Sequence, residues 1–400
     1  MTQTADRPRI RLKPKANARG LRHGFPWVYA NDIVTDRRTR KIPAGALAVL
    51  EDENRAPIAL VAVNPESKIM CRVLDRDPDA ELTADWFETR LRRALDMRER
   101  LFDSPFYRLI HAEADGFPGV IIDRFGEACV IQPNAAWAEA HLDMLTDALT
   151  AVTGVTTVLK NASGRTRGLE GLDDVNLTLR GTVPDAPLPV LMNGATYMAD
   201  LAGGQKTGLF YDQRPNHAFA AQLVQPKAQV LDVFSHVGGF GLAMLAGGAG
   251  QALSVDGSAT ALELAAKGAE ASGFADQFDT RQGDAFDVLA QLNDEGAKFD
   301  VVICDPPAFA PSRQALDAGL RAYERIARLA ATLVKPGGYL GLCSCSHAAD
   351  LGRFRDASSR GIGRAGRSAQ LIHTGFAGPD HPQLPQLAES GYLKAVFYRL

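Results

Sequence analysis

Val230-Leu231-Asp232-Val233-Phe234-Ser235-His236-Val237-Gly238-Gly239-Phe240-Gly241 is the stretch that decides the fold. A short apolar run ends in an acid and then in three glycines within four residues. This is how a buried strand passes into a helix, with glycines permitting a tight turn and the close approach of a ligand to backbone. Downstream the rhythm repeats. Strands are expected at 252–256, 278–282, 299–304 and 339–345, with helices at 259–272, from Ala285 to Leu292, and at 315–333. Strands alternating with helices predict an α/β domain whose parallel sheet is covered on both faces. The last segment, 392–398, reads as a strand closing the sheet antiparallel. The Arg/Gly/Ser-rich stretch 351–370 reads as a loop or a frayed helix.

In such sheets ligands bind beyond the carboxyl ends of the strands. The first strand contributes Asp232, Phe234, Gly238, Gly239 and Phe240. The second ends in Asp256-Gly257, an acid placed to accept from a ribose diol. The third is followed by Gly283-Asp284-Ala285-Phe286, suited to an adenine edge and face. The fourth ends in Cys304-Asp305-Pro306-Pro307-Ala308-Phe309. Each acid alone reads equally well as a helix N-cap. Acids and glycine turns in register at successive strand ends instead resemble a class I, S-adenosylmethionine (SAM)-dependent methyltransferase, with a Rossmann-like, mostly parallel seven-stranded sheet. The loop after the first strand is not the G-x-G-x-x-G fingerprint, and no P-loop occurs, which disfavours a dehydrogenase.

The N-terminal half differs. Between Arg7 and Lys41 stand eleven Lys/Arg, opposed only by Asp32 and Asp36, although the whole chain carries a net charge of −3. Arg9, Arg11, Lys13 and Lys15 alternate as one face of a strand would. Phe25, Trp27 and Tyr29 are interleaved with basic groups, and short strands follow at 46–50 and 58–63. The reading is a small β-rich unit over 1–74. A connecting α+β domain is read over 75–185, with a helix at 84–101, and the α/β domain over 190–400. The proline-rich stretch 182–189 lies between them. Basic groups among aromatics fit a phosphate-contacting surface, with Lys13 and Arg22 as candidate RNA contacts. The alternative is a solvated face with the aromatics in a core.

Five cysteines at scattered spacing give no disulfide framework and no metal site, and a reducing cytoplasm fits best. No secretory signal or apolar run of membrane-spanning length is visible. No membrane partner is expected, and a homodimer is kept as an expectation.

Further motifs narrow the resemblance. They are Gly24-Phe25-Pro26-Trp27-Val28-Tyr29, Glu113-Ala114-Asp115-Gly116-Phe117-Pro118-Gly119, Gln205-Lys206-Thr207-Gly208-Leu209-Phe210-Tyr211-Asp212-Gln213-Arg214, and Ser344-Cys345-Ser346-His347. With the Asp-Pro-Pro motif, they make the chain similar to the bacterial PUA-domain-containing 23S ribosomal RNA cytosine-C5 methyltransferases. The resemblance implies a PUA-like RNA-binding domain before the catalytic domain, SAM as cofactor, and ribosomal RNA as substrate. It also implies that Phe210, Asp212, Gln213 and Arg214 lie near the cofactor. Two departures stand out: Ser235-His236-Val237 precedes the glycines where the family carries Cys/Asn-Tyr-Thr, and His347 stands where Gly is common.

Carbon 5 of cytosine becomes nucleophilic once a thiolate adds to C6, so the reaction needs an activated cysteine near the methyl donor. Cys345, flanked by polar residues, is the candidate. Asp305 is expected at the cofactor and at the base, favouring N3 protonation. Pro306 and Pro307 are expected against the substrate, and Phe309 either stacks on a flipped base or packs in the core. Two other readings stay open: methylation of an exocyclic amine of guanine or adenine, with Cys345 dispensable, and an RNA-binding assembly factor with an inactive methyltransferase domain.

Overall fold

The computed structural model describes residues 7–201, 203 and 208–400. Gln205, Lys206 and Thr207 of the long motif, and the first six residues, lie outside the described residues. The chain forms two compact units. Among the described residues, one comprises 7–184 with 379–390, the other 185–201, 203, 208–378 and 391–400.

The N-terminal unit opens with β1 (Arg9–Arg11), α1 (Ala18–Arg22), β2 (Trp27–Tyr29), β3 (Leu47–Glu51), β4 (Pro57–Val63) and β5 (Ile69–Asp75). These strands pair in the order β1-β3-β4-β5-β2. Ile10, Val28, Leu50, Val61 and Cys71 share one buried cluster. The strand expected through Lys15 stops at Arg11. Leu12 keeps only an isolated bridge to Ile33, and Lys15 has left-handed backbone at φ 70°. Then come α2 (Ala84–Leu101), β6 (Phe106–His111), β7 (Val120–Phe125), β8 (Ala128–Pro133), α3 (Ala136–Ala140), α4 (Leu142–Thr153), β9 (Thr157–Lys160), α5 (Arg165–Leu169) and β10 (Leu177–Arg180). The helices α3 and α4 meet at His141. The second sheet runs β10-β9-β8-β7-β6.

The boundary near residue 75 changes sheets without dividing cores. Leu60, Ala62 and Leu74 join the buried cluster that holds Trp86, Phe87 and Trp137. The Glu113–Gly119 motif fastens this unit. Glu113 accepts from the Trp27 indole at 2.8 Å and from Arg72 at 3.1 Å. Asp115 accepts two 2.7 Å bonds from the fully buried Arg98. Arg98 also donates to the Asp380 carbonyl at 3.0 Å, and Asp380 accepts from the Arg108 N–H at 3.1 Å. Residues 379–390 therefore belong to the N-terminal unit, where the sequence reading had one uninterrupted domain over 190–400.

The C-terminal unit begins with a hairpin of β11 (Leu188–Met192) and β12 (Ala195–Ala199), turned by Asn193-Gly194 at φ 52° and 77°. It continues with α6 (Arg214–Gln222), β13 (Gln229–Val233), α7 (Gly239–Ala246), β14 (Gln251–Asp256), α8 (Ala259–Ala271), β15 (Phe278–Gln282), α9 (Ala285–Asp294), β16 (Phe299–Cys304), α10 (Leu316–Leu333), β17 (Val334–Ser344), α11 (Leu351–Arg364), β18 (Gln370–Gly375) and β19 (Lys394–Arg399). The expected mostly parallel seven-stranded sheet is present, in the order β15-β14-β13-β16-β17-β19-β18. β15 to β17 run parallel, and β19 pairs antiparallel with both β17 and β18. The order reverses between β13 and β16, which fixes the crevice at their carboxyl ends. The stretch after 351 is a regular helix, not a loop. Phe354, Ala357 and Ile362 bury one face of it, and a Cβ on Gly361 would lie 2.4 Å from the Glu324 carbonyl of α10.

Candidate active site

The loops at the strand ends bind one another. Ser235 N–H donates to Val255 O at 3.0 Å, Asp305 N–H to Val233 O at 3.1 Å, and Gly283 N–H to Asp256 O at 3.0 Å. After β13 two non-glycine residues, Phe234 and His236, adopt left-handed backbone at φ 62° and 49°. Such conformations cost of order 1–3 kcal/mol each and persist where the surroundings hold them. Here Asp256 does so: one carboxylate oxygen accepts from His236 N–H and the other from Ser258 N–H, each at 2.9 Å. The Phe210 ring packs edge-on against His236 at 5.0 Å. Gly238 has φ 82°, and a Cβ on Gly239 would sit 2.9 Å from His217 Nε2.

Asp232 and Phe240 shape this loop from behind. Asp232 is fully buried, and one of its oxygens accepts from Phe240 N–H at 3.1 Å and Gly241 N–H at 2.8 Å. Burial pushes its carboxyl up to about 7, against the pull of those two N–H groups. The Phe240 ring is buried against His217 at 4.4 Å. Both were expected at the cofactor. Both side chains are buried, Asp232 at the end of β13 and Phe240 in the first turn of α7. His217, missed in the sequence, is kept neutral by burial, its pKa lowered to about 3.

Of the remaining expected residues, Asp256 and Gly257 lie at the rim, with Gly257 exposed. A Cβ on Gly257 would meet nothing nearer than the Gly283 carbonyl at 3.9 Å. Asp284 caps α9, accepting from Phe286 N–H and Asp287 N–H, and Ala285 is buried in the core, so its side chain is packing. Gln213 is buried and bonded to Asn216 at 2.6 Å, and Arg214 stands 5.5 Å from the Tyr211 ring. Asp212 accepts from the Tyr392 hydroxyl at 2.6 Å. Lys13 and Arg22 belong to the other unit. Both are exposed and held locally, Lys13 on the Asn31 carbonyl and Arg22 on Asp52.

Phe309 is partly buried among Phe234, Phe286 and Tyr323, with centroids 5.0–6.3 Å away. A Cβ on Gly319 of α10 would lie 2.7 Å from the Phe309 carbonyl, so the Asp305–Phe309 loop rests directly on that helix. Asp305 is half-buried, Pro306 buried and Pro307 exposed.

Of the five cysteines, four are buried and Cys345 is half-exposed. Burial pushes the thiols of Cys304 and Cys343 up, away from reactivity. The neighbours of Cys345 are fixed. The Tyr323 hydroxyl lies 2.9 Å from Ser344 Oγ and 2.8 Å from Ser346 Oγ, and Ser346 Oγ accepts from Ala310 N–H at 2.9 Å. One tyrosine therefore ties the cysteine's loop to the Asp-Pro-Pro loop. No sequence motif singled it out.

The fold and this crevice define a SAM-dependent methyltransferase. Residues 173–399 match the S-adenosylmethionine-dependent methyltransferase family, and residues 10–76 match the PUA-like domain. Proteins named ribosomal RNA large subunit methyltransferase I are similar over nearly their whole length. That of Aliivibrio fischeri strain MJ11 is 34% identical, covering 96% of this chain and 98% of its own. That of Photobacterium profundum is 35% identical over 95% and 96%. A protein assigned as a SAM-dependent methyltransferase from Streptococcus mutans superposes with a TM-score of 0.82 at 19% identity, over 98% of this chain and all of that one, which shows the shared fold. The chain belongs to the PUA-domain-containing SAM-dependent methyltransferases, in the group of these ribosomal RNA enzymes, and SAM is its cofactor. Among the described residues, no helix is long and apolar enough to cross a membrane, and no cluster could hold a metal ion.

Proposed function

We propose that this enzyme forms 5-methylcytosine in large-subunit ribosomal RNA, with Cys345 as the nucleophile, in the cytoplasm. The observation that carries the reading is Cys345 itself, the one cysteine not buried, in a loop bonded through Tyr323 and Ser346 to the Asp-Pro-Pro loop. The relatives' names support the RNA class.

The residues present fit SAM. The rings of Phe234, Phe286 and Phe309 make an apolar wall for an adenine, Asp256 stands where a ribose diol would bind, and the open space over Gly257 admits it. Ser235 Oγ is buried without a partner, as a loop built around a ligand allows. When bound, SAM supplies an electrophilic sulfonium methyl group. The Cys345 thiolate adds to C6 of the cytosine, while Asp305 holds the base and favours a proton on N3. The C5–C6 double bond is thereby spent and C4=C5 becomes an enamine; C5 takes the methyl group as C4=N3 re-forms, and N3 returns its proton to Asp305. A base then removes the C5 proton, the electron pair reforms the double bond, and the thiolate leaves. Basic groups of the PUA-like domain, Lys13 and Arg22 among them, contribute phosphate contacts that fix register more than sequence.

The test is transfer from labelled SAM to ribosomal RNA of a strain lacking the protein, followed by digestion to nucleosides. Label in 5-methylcytosine that disappears with Cys345→Ala, while SAM still binds, supports the reading. Label in an exocyclic amine, or label that survives the substitution, overturns it.

A further inference from the structure

Lys394 opens β19, ahead of the apolar run Ala395-Val396-Phe397, and it is only 6% exposed. In the β17–β19 pairing it stands directly opposite Ser344, the last strand residue before Cys345. Its ammonium donates to the Ser346 carbonyl at 2.7 Å and the Ala349 carbonyl at 2.8 Å. These acceptors lie just after the cysteine and at the end of its loop, so one side chain ties the loop back onto the neighbouring strand β19. A buried ammonium costs several kcal/mol of desolvation and is retained where it is paired or used.

Two carbonyl dipoles satisfy its hydrogen bonds, and the negative charge that acts on the ammonium comes from Cys345 when ionised and from Asp350. We propose that Lys394 is the positioning residue for Cys345, fixing its loop through the Ser346 and Ala349 carbonyls and stabilising the thiolate once the thiol proton has gone to solvent. The inference rests on Cys345 as nucleophile.

The charges around it agree. Burial lowers the Lys394 pKa, and negative charge on Cys345 and Asp350 opposes that lowering. The interaction is reciprocal, so the ammonium lowers the energy of the thiolate by what the thiolate returns. The other ionisable groups at the loop are Tyr323, whose proton is held on by burial and by Cys345, the Asp305 carboxyl, which raises the neighbouring thiols, and His347 and Tyr392. Lys394 is the buried cation in this set. A cation beside a thiol brings its pKa from about 8.5 into the range of about 3.5–7.5.

The experiment is the rate of iodoacetamide alkylation of the full-length protein as a function of pH, without RNA, with Cys345→Ala as background. The other four thiols are buried and contribute little. The expected result is a wild-type thiol that titrates below about 8, and a Lys394→Met variant shifted up by about one unit or more. Its alkylation at pH 7 is then roughly tenfold slower. Lys394→Arg, which keeps charge and donors, stays within a few tenths of a unit. Methyl transfer by Lys394→Met falls, and its pH profile moves upward by the same shift while SAM affinity is unchanged. A wild-type thiol titrating at about 8.5 or higher overturns the proposal without any variant. So does an unmoved thiol titration in Lys394→Met, even with lost activity, since a purely structural role would give that. A shifted titration with methylation surviving in Cys345→Ala supports the electrostatic link and overturns only the nucleophile assignment.

Discussion

Replacing Asp232 by Asn isolates the cost of a buried carboxyl at the foot of the cofactor loop. Asp232 is fully buried, and one oxygen holds the first turn of α7 through Phe240 and Gly241 N–H groups while the other has no partner. Its pKa is raised from 3.8 to about 7 by burial. A raised acid pKa means the folded state holds the proton more tightly than the unfolded chain. The stability it contributes is complete below about pH 4 and is lost as pH rises towards and through 7. About three units correspond to ~4 kcal/mol in all, of which roughly 3 kcal/mol falls between pH 5 and pH 8. For a unit of this size that is about 5–10 °C in Tm. Asparagine keeps an oxygen for the two N–H groups and cannot ionise. It leaves a buried NH2 without a partner, at a cost of ~1–3 kcal/mol that does not change with pH. Calorimetry of both proteins between pH 5 and pH 8, without SAM, reads the difference. Trp27, Trp86 and Trp137 all lie in the N-terminal unit, so tryptophan fluorescence identifies that unit's transition and leaves the other to be assigned. The methyltransferase unit of Asp232→Asn should gain on the wild type as pH rises. Parallel curves with a constant offset would refute the reasoning and show Asp232 ionised throughout.

Arg98→Met leaves Asp115 charged and buried, so the N-terminal unit should lose about 3–5 kcal/mol in urea unfolding followed by tryptophan fluorescence. Tyr323→Phe removes the hydroxyl shared by Ser344 and Ser346. It should cost about 1–2 kcal/mol of stability and cut methyl transfer more than SAM affinity, as single-turnover assays and equilibrium binding will separate. Gly319→Ala pushes a methyl group to within 2.7 Å of the Phe309 carbonyl, so despite its better helix propensity it should lower both transfer and stability. RNA affinity should fall steeply with salt, and Lys13→Ala with Arg22→Ala should flatten the log–log slope by roughly 1–2, measured by filter binding from low to physiological salt.

What was legible in the sequence followed from period and punctuation. The 84–101 helix matches α2 by its apolar spacing, strands 252–256 and 299–304 match β14 and β16 as apolar runs that end before an acid or a proline motif, and 278–282 matches β15, placed by the Gly283-Asp284 turn after it. The α11 helix was not, because Gly361 reads as a breaker. It is instead a contact residue against the Glu324 carbonyl, a fact that exists only once α10 is beside it. The β11–β12 hairpin carried its signal in Asn193-Gly194 and was overlooked. At the site, acids at strand ends announced a ligand, yet spacing could not separate Asp256, which faces the rim, from Asp232, which faces the core. Burial is set by neighbours distant in sequence. Lys394 was readable as a cation ahead of an apolar run; Tyr323 was not, since its two serine partners meet it only through the fold.

The return of residues 379–390 to the N-terminal unit has a consequence for the order of synthesis. Arg98 and Asp380 are 282 positions apart, and Arg108 and Asp380 are 272 apart. A ribosome emits the first sheets early, but the buried arginine there waits for its Asp380 acceptor until about 280 further residues have been made. The strand that carries Lys394 emerges just after it. Both units are therefore completed within about twenty residues of one another, and the early portion must stay soluble with an unsealed charged core until then.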